Sequence, residues 1–180
     1  MKLIVAPLHE VAGLVATRRP SHLVSLASPG HLDASLVDGP PHRLDLRFND
    51  IAAPREGLVQ PSAADIAALL DFARGWDGGL PLLIHCWAGV SRSTAAAYVV
   101  ACARSTPGRE ADWADRLRRA APTATPNPLM IALADRWLGR DGAMVRAIAA
   151  IGRGRETAWG AAFELDLCSP ARSIGESLPA

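Results

Sequence analysis

Cysteine, net charge and long apolar runs are all scarce in this chain, and each scarcity removes a class of function. The three cysteines, Cys86, Cys102 and Cys168, are odd in number and include no C-x-x-C. Their irregular spacing excludes a disulfide framework, and a reducing compartment is expected. Lys plus Arg number 19 against 18 for Asp plus Glu, a net charge of +1. No overall field draws such a chain to nucleic acid or to an anionic membrane, so neither partner is expected. Any anion has to be held by a local site. The longest apolar stretch, residues 95–103, falls well short of the roughly 20 residues of a membrane span. Near the start, Leu3 to Ala6 is apolar, but Pro7, His9 and Glu10 interrupt it before a signal-peptide core is reached. The expected location is the cytoplasm.

What is present is an ordinary globular composition: 180 residues, 49% hydrophobic and 21% charged. That is enough for one domain with a packed core and too little for two. Residues 2–8 and 22–27 read as strands, with a short helix over 10–17 between them. Residues 28–41 carry Pro29, Gly30, Gly39, Pro40 and Pro41 and read as a loop. Leu44, Leu46 and Phe48 alternate with Asp45 and Arg47, the period of a half-buried strand that stops at Asn49 and Asp50. Ser62 and Asp65 form a capping-box pattern ahead of Ile66, Leu69, Leu70 and Ala73 at helical spacing. The run 80–85 is continuously apolar, as a central strand covered on both faces would be. Residues 93–103, apolar nearly all round, predict a buried helix, and helices over 109–120, 128–138 and 142–151 follow. Strands alternating with helices, then helices alone, predict an α/β fold: a short, mostly parallel central sheet flanked by helices, with a C-terminal helical cluster. The domain is expected to span 1–152, and 153–180 reads as a partly irregular tail whose last part, 170–180, is surface-bound or mobile.

Between the central strand and the buried helix stands His85-Cys86-Trp87-Ala88-Gly89-Val90-Ser91-Arg92-Ser93. A loop that closes onto a helix N-terminus turns successive backbone N–H groups inward, and the helix dipole adds to their pull on an oxyanion. Gly89 permits close approach of the backbone. The planar fork of Arg92 grips two phosphate oxygens at once. Cys86 falls at the centre of that cradle, where the same dipoles and Arg92 favour its thiolate and make it a nucleophile. Ser93 can donate a hydrogen bond to the sulfur and ease its departure from a phospho-cysteine. His85 is read as ordering the loop through its ring hydrogen bonds.

These residues resemble the cysteine-dependent tyrosine and dual-specificity phosphatases, whose pattern is H-C-x5-R-[ST]; every fixed position matches. The resemblance runs from about Leu44 to Asp135 and is strongest in the nine-residue loop. It implies the corresponding fold, a phospho-cysteine mechanism without metal or other cofactor, and phosphate binding by the backbone of Trp87, Ala88, Gly89, Val90, Ser91 and Arg92. It also implies an aspartic acid on a separate upstream loop that protonates the leaving oxygen and later activates water. Asp50 fits that role, with Asp45, in mid-strand, as the competitor. Pro126-Asn127-Pro128 resembles the Pro-Asn element of the dual-specificity enzymes, so Asn127 is expected to brace the phosphate loop. A glutamine that positions water in some relatives is absent, with Leu133 near its place.

Other chemistries fit less well. His85 and Cys86 lack the further converging ligands of a zinc site. Gly89-Val90-Ser91 is not the nucleophile elbow of a serine hydrolase. Cys102, Trp113 and Trp137 read as core, and Arg109, Arg116, Arg118 and Arg119, interleaved with Glu110, Asp112 and Asp115, as a solvated helix face. Trp87 is read either as packing under the loop or as lining the pocket. The expected substrate is a phosphorylated protein or a small phosphomonoester. Tyr98, the single tyrosine, falls on the buried helix and cannot clamp a phosphotyrosine ring. The alternative is a phosphate-recognition module of the same fold that does not turn its ligand over.

Overall fold

The computed structural model describes residues 1–31 and 39–168; the expected end segment 170–180 lies outside them. Five strands and six helices alternate along the chain: β1 (Lys2–Pro7), α1 (Val11–Arg18), β2 (His22–Ala27), β3 (His42–Arg47), α2 (Ala63–Gly75), β4 (Leu82–Cys86), α3 (Arg92–Ala103), α4 (Glu110–Ala120), α5 (Pro128–Trp137), α6 (Ala143–Ala150) and β5 (Phe163–Asp166). The sheet order is β3-β2-β4-β1-β5. The first four strands are mutually parallel and β5 runs antiparallel to β1. This is the α/β architecture expected from the alternation of elements.

Apolar patterning sets each strand's place. β4, buried along its whole length, is central, with β1 and β2 on either side, and all three carry continuous apolar runs because helices cover both faces. β3 is an edge strand. Leu44 and Leu46 of β3 pack toward the main core, while Arg43, Asp45 and Arg47 project from the opposite face. The main core lies between the sheet and α2–α6. A smaller cluster of Ile4, Ala6, Val11, Leu23 and Leu83 packs under α1. Ser62 and Asp65 close the expected capping box at the start of α2.

The structure departs from the sequence reading in three places. Residues 163–166, within the stretch read as a tail, form an edge strand that pairs Leu3 with Leu165. Trp137, read as core, is 54% exposed at the last turn of α5, whereas Trp113 is buried. Glu110, read as part of a solvated face, is buried and pairs with Arg140 at 3.1 Å. Among the described residues no helix is long and apolar enough to cross a membrane.

Candidate active site

The chain leaves β4 at Cys86 and enters α3 at Arg92, so the intervening loop sits at the carboxyl ends of the parallel strands, where open α/β sheets bind ligands. Four of its five carbonyls are tied by backbone donors. Trp87 O accepts from Leu8 N (3.0 Å), Ala88 O from Gly160 N (2.8 Å), Val90 O from Thr125 N (2.9 Å) and Ser91 O from Ala95 N (2.9 Å). Among the described residues, none of the amides of Trp87 to Ser91 donates to another group. A loop with committed carbonyls and free amides can receive an anion. Gly89 has φ +72°, and a Cβ there would come within 2.7 Å of Pro7 N at the end of β1. Only glycine fits.

Cys86 is buried at the base of this loop, with Sγ 3.2 Å from Ser93 Oγ. His85 Nε2 is 2.8 Å from Ser25 Oγ on the neighbouring strand, which ties the ring and the end of β4 to β2. Arg92 is 6% exposed. Its Nη1 donates to the Phe48 carbonyl at 2.9 Å, while its buried Nε has no partner among the described residues. A buried guanidinium with a donor to spare is able to hold an anion.

The sequence-predicted residues do not all share one cleft. Cys86, Trp87 and Arg92 line a cleft of about 560 Å³ whose walls also include Asp45, Arg43 and Arg47. Asp45 lies between those two arginines, at 3.6 Å from Arg43 and 3.7 Å from Arg47. Asp50 lines a different, smaller cleft across Val90 and Ser91. It is nonetheless joined to the loop after β4: its Oδ1 accepts from Ser91 Oγ at 2.7 Å and from Asn127 Nδ2 at 2.8 Å. Asn127 caps α5 through Leu129 N and Met130 N and donates its own backbone N–H to Ser91 O. Asn127 therefore ties the segment after β3, the loop after β4 and α5 together.

Sequence reasoning missed the segment after α6. Gly160 packs against the loop so closely that a Cβ would lie 2.9 Å from Gly89 O, and Trp159 stacks on Trp87. Only two small hints stood in the sequence, a tryptophan and a glycine side by side. Cys102 is core, as read, with its thiol pushed up to about 12 by burial. Tyr98 on the same helix is fully buried, and burial raises its phenol as well.

The loop, its arginine and its cysteine at the head of this sheet define the fold class: the chain has the architecture of the tyrosine and dual-specificity phosphatases. It is similar to the Yvh1 phosphatase domain from Chaetomium thermophilum, with a TM-score of 0.56 at 19% identity over 79% of this chain and 93% of that one. Similar structures include DUSP15 (0.55, 17% identity, 84% of this chain and 94% of that one). Another is Tk-PTP in its active form (0.53, 20% identity, 77% of this chain and 90% of that one). No family model matches the chain, and no curated protein matches its sequence.

Proposed function

We propose that the chain is a metal-independent phosphomonoester hydrolase of the protein tyrosine or dual-specificity type, working through a phospho-cysteine intermediate in a reducing compartment. The observation that carries this is Cys86 set beside Ser93 at the base of a loop whose amides are uncommitted, with the buried Nε of Arg92 unpartnered in the same cleft. The amides of Trp87 to Arg92 and the guanidinium hold the three non-bridging phosphoryl oxygens. The Cys86 thiolate attacks phosphorus in line; the S–P bond forms as the P–O bond to the leaving group breaks. Asp50 gives its proton to the departing oxygen. Water then attacks the phospho-thiol, Asp50 takes the water proton, and the S–P bond breaks with Ser93 Oγ hydrogen-bonded to the returning thiolate. Asp45 reaches the Cys86 cleft but is ion-paired with two arginines, whereas Asp50 is held by neutral donors only, so the acid role is assigned to Asp50.

The test is hydrolysis of para-nitrophenyl phosphate near pH 6 with a chelator present, for the wild type beside Cys86→Ser. Turnover by the wild type and none by the variant, which still binds phosphate, is the expected result. Folded, reduced wild type that binds phosphate without hydrolysing any phosphomonoester overturns it in favour of a recognition module.

A further inference from the structure

Four rings that the phosphoryl chemistry does not use gather beside Cys86: Trp87, Trp159, His9 and His31, the last edge-on to Trp87 at 6.4 Å. Trp87, 55% exposed, lines the same cleft as Cys86 and Arg92. Its ring lies 5.7 Å from that of Trp159, tilted by 37°. Trp159 in turn meets His9 edge-on at 5.0 Å. Backbone contacts hold this stack from both sides. Leu8 N, next to His9, donates to Trp87 O, and Gly160 N, next to Trp159, donates to Ala88 O. Gly160 sits so close to Gly89 that no side chain fits there, which fixes Trp159 one residue away. The result is a preorganised aromatic face that starts at the residue after the nucleophile and stays open to solvent. A face fixed in that position meets whatever group departs with the bridging oxygen.

Resting on the phosphatase reading, we propose that Trp87, backed by Trp159, is a specificity-determining residue that receives a planar ring on the leaving group. A ring stacked on the indole gains contact and leaves water. The short alkyl chain of a phosphoserine or phosphothreonine has no face to offer, and the platform stays wet.

The test is the ratio of kcat/KM for one peptide carrying phosphotyrosine to that for the same peptide carrying phosphoserine. The wild type is expected to favour phosphotyrosine, with the ratio falling about tenfold in Trp87→Ala, less in Trp159→Ala, and returning in Trp87→Phe. A merely structural role in the loop slows both substrates together and leaves the ratio unchanged; that outcome, or a wild type that favours phosphoserine, overturns the proposal. If the wild type hydrolyses no phosphomonoester, the function proposed above fails. The platform is then read by calorimetric binding of phenyl phosphate and propyl phosphate. Preference for phenyl phosphate that Trp87→Ala abolishes supports it, and equal affinities overturn it.

Discussion

Asn127 donates a hydrogen bond from Nδ2 to Oδ1 of Asp50 at 2.8 Å, so the residue that caps α5 also sets the position of the proposed acid. Asn127→Ala removes the cap and this anchor together. Loss of a helix N-cap costs about 0.5–2 kcal/mol, which urea unfolding measures. Turnover of alkyl phosphates should fall as well, while Asn127→Ser, which restores a capping oxygen without placing a second carboxylate beside Asp50, should recover stability and not activity. Equal recovery of both would show that Asn127 acts only as a cap.

The two carboxylates near the loop separate by leaving group. Asp50→Asn is expected to lower kcat/KM by about 10²–10⁴ for alkyl phosphates, the usual contribution of a general acid, and by far less for para-nitrophenyl phosphate, whose leaving group needs no proton. Asp45→Asn should show no such dependence on leaving-group pKa. A steeper leaving-group dependence in Asp45→Asn than in Asp50→Asn would transfer the acid role to Asp45.

Ser93 Oγ lies 3.2 Å from Cys86 Sγ. A hydrogen bond to a charged group is worth about 1.5–3 kcal/mol, so Ser93→Ala should slow release of the thiolate by roughly 10- to 100-fold. Rapid-mixing experiments would then show a burst of nitrophenol followed by slow turnover, with phospho-enzyme trapped by acid quench. A variant with slow first turnover and no burst would place Ser93 in the attack step instead.

Gly89 combines φ +72° with a Cβ position 2.7 Å from Pro7 N. Left-handed backbone costs a non-glycine residue roughly 1–3 kcal/mol, and the clash with β1 must be relieved by moving the loop. In Gly89→Ala the expected outcome is folded protein whose melting temperature no longer rises with added phosphate. Normal phosphate protection would mean the loop tolerates the shift.

Burial makes the chain alkali-sensitive in a specific window. The folded Cys102 thiol is pushed up to about 12, whereas an unfolded thiol ionises near 8.5. Above that pH the unfolded chain holds fewer protons than the folded one, so stability is whole below about pH 8.5 and falls toward about pH 12. Tyr98, raised in the same direction, adds to the loss once the unfolded phenol ionises near pH 10. Cys102→Ala should flatten the decline between about pH 9 and 10 by up to about 1.4 kcal/mol per pH unit, as read by urea midpoints. An unchanged slope would mean the thiol ionises without unfolding.

How much of this was written in the sequence depended on how local the signal was. The loop from His85 to Ser93 was legible because strand, turn and helix N-terminus are consecutive and each position has its own chemical requirement. Asn127 and Asp50 were legible as candidates, but their shared hydrogen bond joins distant segments that no local pattern connects. β5 escaped notice because Phe163-Glu164-Leu165-Asp166 alternates over only four residues, and its partner β1 lies at the opposite end of the chain. Glu110 looked solvated among neighbouring charges, since the residue that draws it inward, Arg140, follows α5. Trp137 looked like core because its neighbours are apolar, but the helix turns it outward in its last turn.

The bond from Gly160 to the Ala88 carbonyl has a further consequence for the order of events at the ribosome. Cys86 to Arg92 are synthesised and can form their turn well before Gly160 exists. Until that glycine emerges, one loop carbonyl lacks its partner and Trp87 lacks its neighbouring ring, and β1 waits a few residues longer for β5. The nascent chain therefore carries Cys86 early and the support for its loop late.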